Sequence, residues 1–326
     1  MAVVSSSEKI AFIRSLFGQV YIGRDGKNVA IKCPACVVRN ASKATSTKKK
    51  LIIRLDDDAA HCWVCGWSSR SLAPLIVKFC DRRYLEEYKE KFGFSGHVGV
   101  SDDSHQSHVV ELPKDFKLLS LASNFDPDVK AVRRYLESRN IDNHDLWYYR
   151  IGVSDEPRWR RRVLIPSFSS SGKLNYFVGR ATAKTVVPKY DNVDIPKTEI
   201  VFNEMNVTWN KRLVVCEGPF DAFKCGDNAT CLLGSELNEG HVLFDRIIEN
   251  LTPVVLSLDS DMKDKTDRIA RKLSEYDVDV KIVDLMGNHD PGSMTKSQFK
   301  EALESSHSWS WNSSFKDRLQ AVMARL

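Results

Sequence analysis

Arg212-Leu-Val-Val-Cys-Glu-Gly-Pro-Phe-Asp221 decides how the rest of the chain is read. Leu213 to Cys216 form an apolar run short enough for a buried parallel strand, and it ends directly on Glu217 and Gly218, with Asp221 close behind. The same order, apolar run and then carboxylate, recurs at Leu256-Ser-Leu-Asp-Ser-Asp261 and closes at His289-Asp-Pro-Gly292. Helical patterns separate the strands: strand 212–217, helix 219–226, strand 229–233, helix 238–250, strand 253–259, helix 263–276 and strand 278–285. Such alternation implies a mostly parallel sheet covered on both faces. In open sheets of this kind the ligand crevice lies outside the carboxyl ends of the strands, where Glu217, Asp221, Asp259, Asp261 and Asp290 are expected to converge. Clustered carboxylates repel one another unless cations lie among them, and an oxygen-only donor set suits Mg²⁺ or Mn²⁺.

A chain of 326 residues exceeds one ordinary core and divides into two or three domains, a multi-domain α/β protein. The absence of a long uncharged apolar run, and of a signal-peptide pattern in the first 30 residues, leads to the expectation of a cytoplasmic protein that does not engage a membrane. Net charge is only +5, but twelve Lys/Arg face five acids between Arg133 and Lys189. A polyanion is the natural partner of that window. Within it, Arg160-Arg-Arg-Val-Leu-Ile-Pro-Ser-Phe168, the turn Ser169-Ser-Ser-Gly-Lys173 and Leu174 to Arg180 read as a hairpin, followed by Pro188-Lys-Tyr-Asp-Asn192. Arg162, Arg180 and Lys189 stand at strand ends and suggest a phosphate track.

Upstream, Cys33-Pro-Ala-Cys36 and Cys62-Trp-Val-Cys65 are two Cys-x-x-Cys knuckles separated by 25 residues. Four thiolates at that spacing close a tetrahedron around one structural Zn²⁺. Cys80, Cys216, Cys225 and Cys231 are scattered and read as reduced, structural cysteines. The spacer carries Arg39, Lys43, Lys48, Lys49, Lys50 and Arg54, and Trp63 and Trp67 flank the second knuckle. Basic residues beside aromatics suit single-stranded nucleic acid, although tryptophans that cover the small ribbon core fit the pattern as well. Residues 5–17 read as a capped amphipathic helix and 315–326 as another, while Phe94 to His108, rich in Gly, Ser, His and Asp, reads as a linker. The division that follows is a zinc ribbon (1–93), a linker (94–110), a basic α+β subdomain (111–210), a Rossmann-like parallel sheet (211–306) and a C-terminal helix (307–326).

The Glu-Gly-Pro-Phe-Asp and Asp-Ser-Asp motifs on this alternation resemble the TOPRIM fold of primases, topoisomerases, RecR-type mediators and some nucleases. Arg-Val-Leu-Ile-Pro, Gly-Lys, Val-Gly-Arg and Pro-Lys-Tyr-Asp-Asn resemble the basic subdomain before TOPRIM in bacterial-type DNA primases. The order of ribbon, linker, basic subdomain and TOPRIM is also theirs, and the chain looks most like the short stand-alone primases of tailed phages. The resemblance implies metal-dependent synthesis of RNA primers on single-stranded DNA from ribonucleoside triphosphates, with a replicative helicase as partner. It makes Glu217, Asp259 and Asp261 catalytic, with these, Asp221 and Asp290 holding two or more Mg²⁺ or Mn²⁺. Arg162, Arg180, Lys189 and Asn192 become template or nucleotide contacts, and Cys33, Cys36, Cys62 and Cys65 zinc ligands. Gly292 stands where the family commonly has a further acid, and all four zinc ligands are Cys where many relatives have one His. The rival readings are a TOPRIM nuclease and a RecR-like recombination mediator.

Overall fold

A computed structural model of the chain describes residues 6–39, 48–93, 109–234, 236–285 and 291–310. The described residues fall into two compact units, one drawn from 1–107, 237–251 and 272–278, the other from 108–236, 252–271 and 279–326. The segment 94–108, most of the expected linker, and the expected helix at 315–326 lie outside the described residues. Among the described residues no helix is long and apolar enough to cross a membrane.

The first unit opens with α1 (Ser6–Phe17). Its apolar spacing buries Phe12 and Ile13, and Phe12 meets the rings of Tyr88 and Phe92 at 6.1 and 5.3 Å. Lys9, on the same side, reaches Asp58 at 2.8 Å and also donates to the Leu55 carbonyl, so a buried cation has both a counter-charge and an acceptor. The ribbon is an antiparallel sheet in sequential order: β1 (Tyr21–Ile22), β2 (Asn28–Ile31), β3 (Leu51–Arg54), β4 (Ala60–Cys62) and β5 (Ser68–Ser69). Between β2 and β3 lies α2 (Pro34–Arg39), so the first knuckle continues into a helical turn that opens on Pro34, a residue whose fixed φ suits that position. The segment 69–92, whose apolar spacing fits one or two helices, gives α3 (Ala73–Phe79) and α4 (Arg83–Phe92).

The second unit holds two sheets. β6 (Lys117–Leu118), β7 (Gly152–Val153), β8 (Arg162–Phe168), β9 (Leu174–Ala181) and β10 (Tyr190–Asn192) form an antiparallel sheet in the order β10-β9-β8-β7-β6. The β8–β9 hairpin turns through Gly172 at φ +78, and its register sets Val163 opposite Arg180. Helices α5 (Pro127–Glu137) and α6 (Asn143–Tyr148) precede the hairpin, each N-capped by an aspartate side chain, Asp126 and Asp142.

Then comes the expected alternation: β11 (Leu213–Cys216), α7 (Pro219–Ala222), β12 (Ala229–Cys231), α8 (Val242–Asn250), β13 (Val254–Ser257), α9 (Lys263–Ser274) and β14 (Val280–Ile282). These elements are shorter than the sequence pattern suggested, because the residues after each strand turn away into loops. α10 (Lys296–Glu304) and β15 (His307–Ser308) follow. The sheet order is β12-β11-β13-β14-β15, parallel except for β15, an antiparallel edge too short for sequence periodicity to reveal. Every residue of β11, β12 and β13 is buried, as continuous apolar runs in a two-sided sheet require. The two sheets share one core, in which Val163, Ile165, Tyr176 and Val178 join Val214, Cys216, Phe220 and Val255.

α8 and the segment 272–278 belong to the first unit and complete it. Arg70 donates its backbone N–H to Asp245 at 2.8 Å and its Nε to the Gly240 carbonyl at 3.0 Å. Trp67 donates its indole N–H to the Tyr276 hydroxyl at 3.3 Å, and Lys78 reaches Glu239 and Glu275 at 3.1 and 2.9 Å. Ribbon, α3 and α8 are therefore fastened by polar bonds as well as by the buried faces of Leu75, Ile76, Phe244 and Ile247.

Candidate metal and nucleotide site

The four ribbon cysteines lie with all their Sγ atoms within 4.8 Å of one another. Cys33 and Cys65 are 3.8 Å apart and Cys36 and Cys62 3.7 Å apart. A tetrahedron with Zn–S bonds of about 2.3 Å has edges of about 3.8 Å, so the spacing fits zinc. The local chain builds the cluster: Cys62 ends β4, Gly66 turns at φ +72, and the Gly66 N–H returns to the Cys62 carbonyl at 3.0 Å. Burial pushes the Cys36 thiol up to about 11, and burial acts in the same direction on Cys62, but there the amides of Cys65 and Val64 outweigh it and hold the thiol at about 7. Four clustered thiolates, three of them buried, need a dication to ionise together. Trp67 is 3% exposed and covers the ribbon core, while Trp63 is 72% exposed beside His61.

Glu217, Asp221, Asp259 and Asp261 follow the carboxyl ends of β11 and β13 in the parallel sheet. β11 turns to β12 on one side, and the chain crosses through α8 to β13 on the other, which makes the gap between β11 and β13 the topological switch point. Cys216 pairs with Ser257, so Glu217 and Asp259 leave adjacent strands one and two residues beyond the paired ends. The Gly234 N–H ties the Glu217 carbonyl to the exit of β12 at 3.3 Å. Asp221 accepts the Gly218 N–H at 2.8 Å and caps α7, so one of its oxygens is already engaged. Asp261 is exposed in the helical turn Ser260–Met262 that leads into α9. Asp290 lies outside the described residues. Among the described residues no three of these acids offer oxygens within 4.8 Å of one another.

Glu217 instead has a neighbour that the sequence did not announce: Lys265 on α9, whose Nζ is 3.7 Å from Oε1. The other oxygen, Oε2, is buried without a hydrogen-bond partner. An orphaned carboxylate oxygen at a switch point, with further carboxylates nearby and no nitrogen or sulfur donors in the set, fits a hard divalent cation such as Mg²⁺ or Mn²⁺.

The basic residues divide. Arg162 is buried, and its guanidinium donates to the carbonyls of Arg158 at 3.1 Å and Pro188 at 2.7 Å, fixing the approach to β10. Arg180, also buried, lies over the ring of Tyr190 at 4.5 Å, with Phe220 at 5.9 Å and Tyr135 at 6.0 Å. Phe220 is the residue before Asp221, so the hairpin and the Glu-Gly-Pro-Phe-Asp motif meet here. Burial raises the Tyr190 phenol, Arg180 opposes the shift and Asp221 adds to it. Lys189 is exposed, and Asn192 is half-buried opposite Val178. On the same sheet a cleft of about 580 Å³ is lined by Arg158, Arg160, Arg161 and Arg162 with Val186 and Val187. Arg158 pairs with Asp191, and Arg160 and Arg161 with Asp128, so these arginines are held in place. Tyr135 and Tyr190 escaped the sequence reading, although Tyr190 sat inside a motif already singled out.

A further group, Asp142, His144 and Asp145, also brings ligand atoms within 4.8 Å. Its geometry has a structural account: Asp142 and Asp145 form the capping box of α6, and Lys296 reaches both at 3.0 and 2.7 Å.

Fold and sites define a multi-domain α/β protein with a zinc-ribbon-like Cys₄ cluster and a Rossmann-like sheet bearing carboxylates at its switch point. No family model matches the chain, and no curated protein does. Among solved structures it is similar to a DnaG primase catalytic domain bound to ssDNA, at 19% identity and TM-score 0.47 over 56% of this chain and 74% of that one. It is similar to the E. coli primase catalytic core at 18% and 0.45, over 56% and 75%. A third likeness, to the zinc-binding and RNA polymerase domains of the Aquifex aeolicus primase, is 16% identical with TM-score 0.42 and covers 95% and 87%. At these values the chemistry has to be argued from this chain's own residues.

Proposed function

We propose that the chain is a DNA primase, a TOPRIM-type nucleotidyltransferase that joins ribonucleotides on a single-stranded DNA template. One observation carries the reading: Arg180 of the basic hairpin stacks over Phe220 of the Glu-Gly-Pro-Phe-Asp motif, beside the strand ends that bear Glu217 and Asp259. Cationic and carboxylate edges meeting in this way suit transfer of a phosphoryl group, a reaction that asks mainly for positioning and charge stabilisation.

Glu217, Asp259 and Asp261, with Asp221 and Asp290, would hold divalent ions that neutralise a triphosphate and assist the attacking hydroxyl. Lys189, Asn192 and Arg180 would contact the phosphates of template or nucleotide, and Arg162 would act by holding the Pro188 backbone. Glu217 would serve as general base through Oε2, the oxygen that has no hydrogen-bond partner. Exposed Trp63 offers a face on which a template base stacks, beside the ribbon lysines. A replicative helicase is the partner that such an activity calls for.

The test is incubation with labelled ribonucleotides, Mg²⁺ and a panel of short single-stranded templates, with products sized on a gel. Short RNA products are expected. Asp259→Ala and Asp261→Ala should each lower incorporation about 100-fold or more while leaving the circular dichroism spectrum and template binding intact. Template degradation without incorporation would transfer the assignment to a nuclease, and an active double variant would remove these acids from the chemistry.

A further inference from the structure

Lys265 occupies an unusual place. It sits in the first turn of α9, which begins at Lys263 directly after the Asp259-Ser-Asp261 turn. A cation there opposes the helix dipole, whose positive end favours acids. Lys263 is exposed and dissipates that cost in water, whereas the Lys265 side chain is only 11% exposed. A lysine kept nearly dry at the wrong end of a helix needs a compensating negative charge. The partner is Glu217 Oε1 at 3.7 Å, from a side chain 23% exposed. That separation is beyond a good hydrogen bond, so the attraction is Coulombic and carries no directional lock. The opposite oxygen of the same carboxylate is buried with no hydrogen-bond partner. Glu217 thus has one oxygen turned to a movable cation and one turned to an unfilled requirement.

We infer that Lys265 is a resident counter-ion of the carboxylate site, which compensates Glu217 before divalent ions arrive and competes with them for it. The inference rests on the proposed metal site and names its regulation. Lys265 is a positioning residue: it touches Glu217 and fixes how much positive charge the acids still demand, and so sets the metal concentration at which the site fills. Entry of a divalent ion at Glu217 displaces the ammonium toward solvent, a short movement for a flexible four-carbon side chain.

Mn²⁺ binding to the full-length, zinc-loaded protein, followed by the electron paramagnetic resonance signal of free Mn²⁺, tests this without reference to activity. Lys265→Met and Lys265→Gln should bind Mn²⁺ about tenfold more tightly than the wild type, and Lys265→Arg should stay within about twofold of it. Two neutral variants guard against a misfolded protein, and a melting curve of each checks the fold. Unchanged or weaker affinity in both neutral variants overturns the inference, because a merely structural lysine would shift melting without tightening Mn²⁺. The Asp259→Ala/Asp261→Ala double variant separates the two levels: it should lose the binding altogether. Wild-type protein that binds no Mn²⁺ at these acids overturns both the metal site and the role of Lys265, whereas wild-type binding that is indifferent to residue 265 overturns only the latter.

Discussion

At the scale of single residues, Trp63 and Trp67 stand in opposite environments although the sequence reads them alike. They flank the same cysteine pair, but Gly66 reverses the chain between them and sends one indole outward and the other into the core. Trp67→Ala removes a ring that is 3% exposed together with the donor to Tyr276, and should cost about 3–5 kcal/mol in chemical denaturation. Trp63→Ala should leave stability within about 0.5 kcal/mol and weaken binding of single-stranded DNA in an anisotropy titration by about tenfold. Equal losses of stability would place both rings in the core. Arg162 offers a related lesson. Its place at a strand end, like those of Arg180 and Lys189, suggests a phosphate contact, and in the fold its Nε and one Nη donate to the carbonyls of Arg158 and Pro188.

At the scale of elements, α8 carries two buried acids on one face, Asp245 and Glu249. Burial pushes the Asp245 carboxyl up to about 7, the Arg70 amide opposes the shift and Glu249 adds to it, with the Arg70 side chain and the Gly240 amide as further neighbours. Because the folded value lies above the unfolded one of about 3.9, the folded state holds the proton more tightly across that interval. Stability from this group is therefore full below about pH 4, falls as pH rises toward 7 and is level above it, by a few kcal/mol in total. Asp245→Asn keeps an acceptor for Arg70 and should abolish this fall. Urea denaturation of both proteins from pH 5 to pH 8 measures it, and parallel curves would show that Asp245 is charged throughout.

Most elements of this kind were legible in the sequence. Buried parallel strands appear as unbroken apolar runs, and the hairpin announces itself by its serine-glycine turn. Cys-x-x-Cys spacing fixed the ribbon. What escaped was set by distant partners: the Lys265–Glu217 pair joins residues whose local patterns read as a solvated helix face and a strand end, and β15 is two residues long.

At the scale of the whole molecule, the ribbon's unit includes segments that the sequence order assigned to the parallel-sheet region. A fragment spanning 109–326 would strip Arg70 from Asp245, Trp67 from Tyr276 and Lys78 from Glu239. It should melt about 5 °C or more below the full chain, as calorimetry would record. An unchanged melting temperature would mean that α8 and its neighbours manage without the ribbon. The fastening also has a consequence in time. Trp67 and Tyr276 are 209 residues apart, and Arg70 and Asp245 are 175 apart. At a synthesis rate of about 5–20 residues per second, the ribbon spends roughly 10–40 s on the ribosome before Tyr276 is made. During that interval the indole of Trp67 and the surface of α3 await their cover, so zinc capture at the four cysteines is the step that can hold the newborn N-terminal segment in shape until the chain catches up.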